Sequence, residues 1–176
     1  SDTELTITGG TIDIQKSYEG LEGVNINIEG GNISIVASDD GINVNDSNGL
    51  LNITAGTTYV NARGDGLDSN GSITMSGGTV LVDGPTSNGD GALDYDYTAN
   101  ITGGTLVTAG SSGMVQAITA SDNKSTLNLY FTEIQKANTL VSITDESGNL
   151  VCAYKPTKDF QNIVIYNSDI LKNKKY

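Results

Sequence analysis

Acidic residues at repeated offsets are the part of this sequence equipped to hold a ligand. The clearest copy is Arg63-Gly-Asp-Gly-Leu-Asp-Ser-Asn-Gly71. Counting from the second residue of each Gly-Gly-like pair, Glu19 lies nine residues after Gly10, Asp40 nine after Gly31 and Asp65 nine after Gly56. Three residues further on come Glu22, Asn43 and Asp68. A fourth copy, Asp90-Gly-Ala-Leu-Asp94, follows Gly78 after a longer approach and contains one extra residue, with Asp96 just beyond it. These offsets predict two columns of acids on successive turns of a repeating fold.

If the turns stack as parallel strands, equivalent carboxylates stand about 4.8 Å apart. Two unit charges at that spacing repel by roughly 3.5 kcal/mol at an effective dielectric near 20. A calcium ion removes the repulsion: it takes oxygens at about 2.3–2.6 Å, so ligands on opposite sides of one ion stand roughly 4.6–5.2 Å apart. The expected ligands are Asp39, Asp40, Asn43, Asp65, Asp68, Asp90, Asp94 and Asp96, with Glu19 and Glu22 at an open end and Ser69 and Asn70 adding oxygens. The competing reading is that Asp-Gly pairs mark solvated turns, but turn propensity does not require acids at one fixed offset. Ca2+ is the expected cofactor.

The elements that would position these acids follow from self-similarity. Leu5-Thr-Ile-Thr-Gly-Gly-Thr-Ile-Asp-Ile14 returns as Ile26-Asn-Ile-Glu-Gly-Gly-Asn-Ile-Ser-Ile35, then as copies beginning at Leu51, Ile73 and Ala99. The second glycines, 10, 31, 56, 78 and 104, are 21, 25, 22 and 26 residues apart, a period that indicates a solenoid. Alternation within each copy predicts two short strands joined at a Gly-Gly corner, with Leu5, Ile7, Ile12 and Ile14 and their equivalents pointing inward. Ala55 replaces the first glycine of one corner, so the second glycine is the stricter position. Leu21, Ile42, Leu67 and Leu93 sit inside the acidic motifs and should anchor a third side in the core, which turns their acidic neighbours outward. Outward Thr and Asn form ladders, Thr6-Asn27-Asn52-Thr74-Asn100 and Thr11-Asn32-Thr57-Thr79-Thr105, read as hydrogen-bonded solenoid faces. Sugar hydroxyl contacts are the sharper alternative. An ice-binding face is disfavoured because asparagines interrupt the threonine array.

The chain has 176 residues and a formal net charge of −12. Up to Asp122 it carries sixteen acids against Lys16 and Arg63; from Asn123 onward seven lysines face five acids. The first part would repel nucleic acid, and no run is long enough to span a membrane. With no histidine and one cysteine, Cys152, a zinc or iron site is not expected; Cys152 lies in a strand-like run as a small buried hydrophobe. Residue 1 enters the first repeat almost at once, and the expectation is that an export signal or linker has been removed and that the natural end lies beyond Tyr176.

The stretch Asp83-Gly-Pro-Thr-Ser-Asn-Gly-Asp-Gly-Ala-Leu-Asp-Tyr-Asp-Tyr97 is the richest loop. Tyr95 and Tyr97 are candidates to offer rings to a sugar, or to pack over a coil edge. After Gly113 the repeat ends: strands at 125–131, 140–143, 150–154 and 161–166, with a hairpin turn at Asp145-Glu-Ser-Gly-Asn149, predict a cap over the last coil. Residues 1–122 are thus expected to form a parallel β-helix of about five coils, and residues 123–176 a strand and hairpin cap in the same domain.

Together, the Gly-Gly-Thr-Val corners, Ser38-Asp-Asp-Gly-Ile-Asn43, Gly64-Asp-Gly-Leu-Asp-Ser-Asn-Gly71, Gly84-Pro-Thr-Ser-Asn-Gly-Asp-Gly-Ala-Leu-Asp94 and Val141-Ser-Ile-Thr-Asp-Glu-Ser-Gly-Asn149 resemble a family of secreted bacterial carbohydrate-binding β-helix proteins related to polysaccharide lyase family 9. The resemblance implies an all-β, right-handed, single-stranded parallel β-helix with bound calcium and affinity for cellulose or polygalacturonate. In the lyases an Asp-Asp-x-x-Asp arrangement and an acid from a neighbouring coil build the calcium site. Asp39, Asp40 and Asn43 match the first pattern with Asn in place of the last Asp, whereas Asp65 and Asp68 have Gly64 where the leading Asp would stand. The lyases also use a lysine base, and residues 17–123 contain no lysine.

The reading that follows is a calcium-binding, non-catalytic carbohydrate-binding module of the bacterial cell surface or extracellular space, with a polysaccharide as partner. One alternative is a calcium-dependent pectate lyase using Arg63 or Lys16 as base. Another is a structural, filament-forming protein that associates through the open first coil around Leu5 to Ile14.

Overall fold

A computed structural model describes residues 3–176. Three coils each pair one long strand, which runs through a Gly-Gly corner, with one short strand: β1 (Glu4–Ser17) with β2 (Leu21–Gly23), β3 (Asn25–Ala37) with β4 (Ile42–Val44), and β5 (Leu50–Ala62) with β6 (Leu67–Ser69). In the next coils the long strand breaks at the corner. They consist of β7 (Ser72–Met75), β8 (Thr79–Asp83) and β9 (Leu93–Tyr95), followed by β10 (Ala99–Ile101), β11 (Thr105–Gly110) and β12 (Thr119–Ala120). The chain closes with β13 (Lys124–Gln135), β14 (Val141–Thr144), β15 (Leu150–Tyr154) and β16 (Phe160–Leu171). No helix occurs among the described residues, and none is therefore long and apolar enough to cross a membrane.

Pairing within the coils is parallel throughout, which gives the expected β-solenoid. On one side β1, β3 and β5 stack; beyond them the sheet continues as β7-β10-β12 before the corner and as β8-β11 after it. The third side is a separate four-stranded sheet, β2-β4-β6-β9. Five corners therefore enclose about four turns, one fewer than the five coils expected, because residues 111–118 cross the last third side without forming a strand.

The alternating aliphatics fill the interior as anticipated. Ile26, Ile28, Ile35, Ile42, Leu51, Ile53, Leu67, Ile73, Met75, Val80, Val82 and Leu93 are all buried in one cluster. Each such side chain contributes about 1.5–3 kcal/mol relative to an exposed one. Leu5, Ile12 and Ile14 of the first coil are only partly buried, since no described coil lies on their outer side. The Asn and Thr ladders are hydrogen-bonded: Asn52 donates to Asn27 at 3.3 Å, and Thr74 donates to Asn52 at 3.0 Å.

The corners bear out the reading of Ala55. Positive φ falls on the second glycine of every corner, with Gly10, Gly31, Gly56, Gly78 and Gly104 at 81–91°. A Cβ on Gly56 would also lie 2.8 Å from the Gly30 carbonyl carbon and the Gly31 oxygen. Gly56→Ala is expected to lower stability by roughly 2–3 kcal/mol, whereas Ala55→Gly should cost under about 1 kcal/mol. Urea denaturation midpoints compare the two, and a reversed order would refute the corner assignment.

The cap follows from the apolar run Ile163-Val-Ile-Tyr166, which reads as a strand buried on both faces. β16 pairs antiparallel with β11 on one edge and β13 on the other. Tyr166 belongs to the solenoid core, while Ile163 and Ile165 join a second cluster with Phe160 and partly buried Leu127, Leu129, Val151 and Cys152. Asp145 forms the anticipated hairpin turn between β14 and β15, accepting from Ser147 and Asn149 amides at 2.8 and 2.9 Å. One buried acid fastens the cap to the coils. Asp83, at the end of β8, is fully buried and accepts from Tyr59 Oη at 2.8 Å, Tyr154 Oη at 2.9 Å and the Thr157 amide and hydroxyl.

Candidate functional site

The third-side sheet sets the acidic register. Leu21, Ile42, Leu67 and Leu93 pair in sequence, which fixes Glu22, Asn43, Asp68 and Asp94 as an outward column one residue on. Two residues before each buried aliphatic stand Glu19, Asp40 and Asp65, and the carboxylates of Asp40 and Asp65 are capped from the coil above. The Asp65 amide donates to Asp40 Oδ1 at 2.8 Å, and the Gly91 amide donates to Asp65 Oδ1 at 2.5 Å.

That second contact shows what the extra residue of the fourth copy does. Pairing Leu67 with Leu93 brings Gly91, not Asp90, to the rung above Asp65. The first column is therefore Glu19-Asp40-Asp65, and Asp90 lies one position ahead of it, accepting from Ser87 Oγ at 3.3 Å. Glycine follows each of these acids because the coil spacing leaves no room for a side chain: a Cβ on Gly41 would meet Val60 Cγ1 at 2.1 Å and the Gly66 oxygen at 2.5 Å.

Two groups of carboxylates result. Glu19, Asp39 and Asp40 offer oxygens within 4.8 Å of one another, and so do Asp65, Asp68 and Asp94. Gly64, where the resemblance would place an acid, is what lets the neighbouring coil in, since a Cβ there would sit 2.5 Å from Asp40 Oδ1 and 2.8 Å from Asp39 Oδ1.

These acids are held against their ordinary ionisation. Burial, followed by repulsion from Asp94, Asp40 and Asp90, pushes Asp65 up to about 6. Burial again leads for Asp68, with Asp40, Asp65, Asp94 and Asp96 adding repulsion, and raises it to about 7. Glu19 and Asp40 are also raised, burial being the larger cause in each. At the first group Glu19 Oε2 and Asn43 Oδ1 are shielded from solvent without a hydrogen-bond partner. An all-oxygen donor set with unpartnered buried oxygens fits a hard cation such as calcium, and not a thiophilic metal. Glu19, Asp39, Asp40 and Asn43 would hold one ion, and Asp65, Asp68 and Asp94 another.

Other residues singled out in the sequence fall elsewhere. Glu22 is exposed and accepts from Asn45 Nδ2 at 2.7 Å. Asp94 also accepts from Gln116, which ends the column in the last coil. Ser69 is buried on the inner face, and its hydroxyl donates to the Ser72 carbonyl at 3.2 Å and accepts from the Gly71 amide at 3.2 Å. Asn70 and Asp96 are exposed. Tyr95 packs against the core and donates to the Ala117 carbonyl at 3.1 Å, while Tyr97 is 63% exposed. Arg63 is exposed beside the acidic rungs, whereas Lys16 lies exposed near the end of β1.

Sequence reasoning missed Lys158. The cap brings it against the end of β5, just before Arg63, where its ammonium donates to the Ala62 carbonyl. Burial lowers its pKa to about 8, with Asp83 opposing the shift and Arg63 adding to it.

Stacked acids on a parallel β-solenoid place this chain among the all-β proteins that present long, regular polar faces. A family model described as a carbohydrate-binding domain-containing protein matches residues 1–170, and the chain belongs to that family. No curated protein and no solved structure matches it.

Proposed function

We propose that this protein is a calcium-stabilised, non-catalytic module that binds a polysaccharide, cellulose or polygalacturonate, outside the bacterial cell. Family membership supports carbohydrate binding. The observation that carries the calcium part is the gathering of Asp65, Asp68 and Asp94 within 4.8 Å on consecutive rungs, with two of them pushed up to about 6 and about 7. A protein that keeps such acids together gains from a cation that neutralises them. Extracellular calcium-binding modules work in the range of about 10⁻⁴–10⁻³ M, and a polysaccharide partner together with the resemblance to secreted β-helix proteins supports a location outside the cell.

Affinity electrophoresis in gels containing polygalacturonate, and pull-down on cellulose, test the reading. Retardation or capture is expected in millimolar calcium, reduced by excess chelator and by Asp68→Asn with Asp94→Asn. Unsaturated uronate absorbance should not develop during incubation with polygalacturonate. Mobility unchanged by any polysaccharide would sink the binding reading, and absorbance that grows with calcium and is lost in Arg63→Ala would turn it into a lyase.

A further inference from the structure

Arg63 is the one arginine in an acid-rich chain, yet among the described residues no carboxylate forms a salt bridge with it. Among the described residues the salt bridge within 4 Å joins Lys136 to Asp159. Arg63 follows β5, Thr86 and Ser87 follow β8 one coil further on, and Lys158 enters from the cap; these four line a surface cleft of about 470 Å³. The Lys158 ammonium is fixed on the carbonyl of Ala62, the residue directly before Arg63, and the Arg63 charge acts on it across the cleft that both line. Asp83 is the acid that acts on Lys158 most directly. Its oxygens already receive two tyrosine hydroxyls and the amide and hydroxyl of Thr157, and it is fully buried. Ser87 donates to Asp90, outside the lining of the cleft, at 3.3 Å.

In a protein of net charge −12, a cleft lined by two cations and two hydroxyls and by no carboxylate forms a receptor for an anion. Guanidinium takes a planar oxyanion through two parallel donors, and ammonium adds a point charge. We propose that the Arg63–Lys158 cleft is a direct, metal-independent subsite for an anionic group on the bound polysaccharide, a uronate carboxylate or a sulfate ester. It rests on the carbohydrate-binding reading and adds to it the place where a charged sugar is held and a contact that needs no metal. The acidic columns and this cleft would then engage the glycan differently, the columns through calcium and the cleft through Arg63, Lys158, Thr86 and Ser87.

Calorimetric titration of the whole chain in excess chelator tests this, with a galacturonate trimer, its methyl ester and a sulfated trisaccharide as probes. The acid trimer or the sulfated sugar is expected to bind at least about tenfold more tightly than the neutral ester, and Arg63→Gln to remove about tenfold of that preference. Which of the two anions binds identifies the source of the charge. Lys158→Gln should act in the same direction, and because Arg63 is exposed, Arg63→Gln should melt with the parent protein, which separates lost binding from lost fold. Equal affinity for ester and acid, or Arg63→Gln indistinguishable from the parent, overturns the subsite. If polygalacturonate or cellulose still binds in calcium, the module reading survives that result; if no glycan binds under any condition, both fall.

Discussion

Excess chelator at about pH 8 is expected to lower the melting temperature of this protein by on the order of 10 °C, and at about pH 5 by only a few degrees. The sign follows from the acids. Asp65 and Asp68 are pushed up to about 6 and about 7, and Glu19 and Asp40 are raised as well, whereas the unfolded chain titrates near 3.9–4.3. Between those limits the native state binds more protons, so without a cation its stability is greatest below about pH 4 and falls as pH rises through about 7. On the proposed reading, calcium would replace the protons where they are lost. Two sites, each with calcium at about ten times its Kd, supply about 1.4 kcal/mol apiece, and each kcal/mol shifts the midpoint by roughly 2–4 °C at this chain length. At about pH 5 the protons already hold the acids together and calcium competes poorly. Asp68→Asn sharpens the test: it removes a buried repelling charge, so it should raise the midpoint in chelator at about pH 8 and shrink the gain from calcium. Asp13→Asn, exposed on β1, should do neither. A melting curve that chelator leaves unchanged at both pH values would remove calcium from the account.

The fold was legible because strand alternation and corner spacing are local. Ile33 and Ile35 announce a face two residues apart, and Gly56 beside Ala55 announces which corner position needs positive φ. The column Glu22-Asn43-Asp68-Asp94 was legible for the same reason, since each member adjoins a buried aliphatic. Asp90 was not, because the extra residue Ala92 could have displaced either end of the motif, and the core pairing of Leu67 with Leu93 decided it. Ser69 and Tyr95 are instructive in another way. Both follow an outward acid directly, so the alternation that turned Asp68 and Asp94 outward also turned their neighbours inward, and the signal was present. Arg63 and Lys158 are different again. They are separated by almost the whole distance from the third coil to the cap, and no local pattern states that β16 returns antiparallel onto β11. Asp83 was hidden by its company: in a loop of turn residues it reads as another solvated acid, and only the closing cap surrounds it with donors.

Asp83→Ala is expected to lower stability by about 3–5 kcal/mol, the range for removing one partner from a buried charged network. The carboxylate is 0% exposed, and its loss strands several groups at once. Tyr154 Oη and the Thr157 amide lose their acceptor, Tyr59 Oη keeps only a 3.2 Å contact to Thr157, and half-buried Lys158 loses the acid that favours its charge. Burial, the largest cause that holds the Tyr154 hydroxyl well above its ordinary range, persists in the variant, so the hydroxyl cannot compensate by ionising near neutral pH. The damage should concentrate where the network joins the cap to the coils. Hydrogen exchange is expected to accelerate in β15 and β16 ahead of β3 and β5, whose buried aliphatics do not depend on the cap. Asp83→Asn should lie between the two, because its amide keeps one acceptor oxygen but turns donors toward donors. Calcium should still raise the midpoint of Asp83→Ala, since the acidic columns lie on another side of the coil. A variant within about 1 kcal/mol of the parent, the ordinary range for an unimportant contact, or exchange that quickens uniformly along the solenoid, would show that Asp83 does not hold the cap in place.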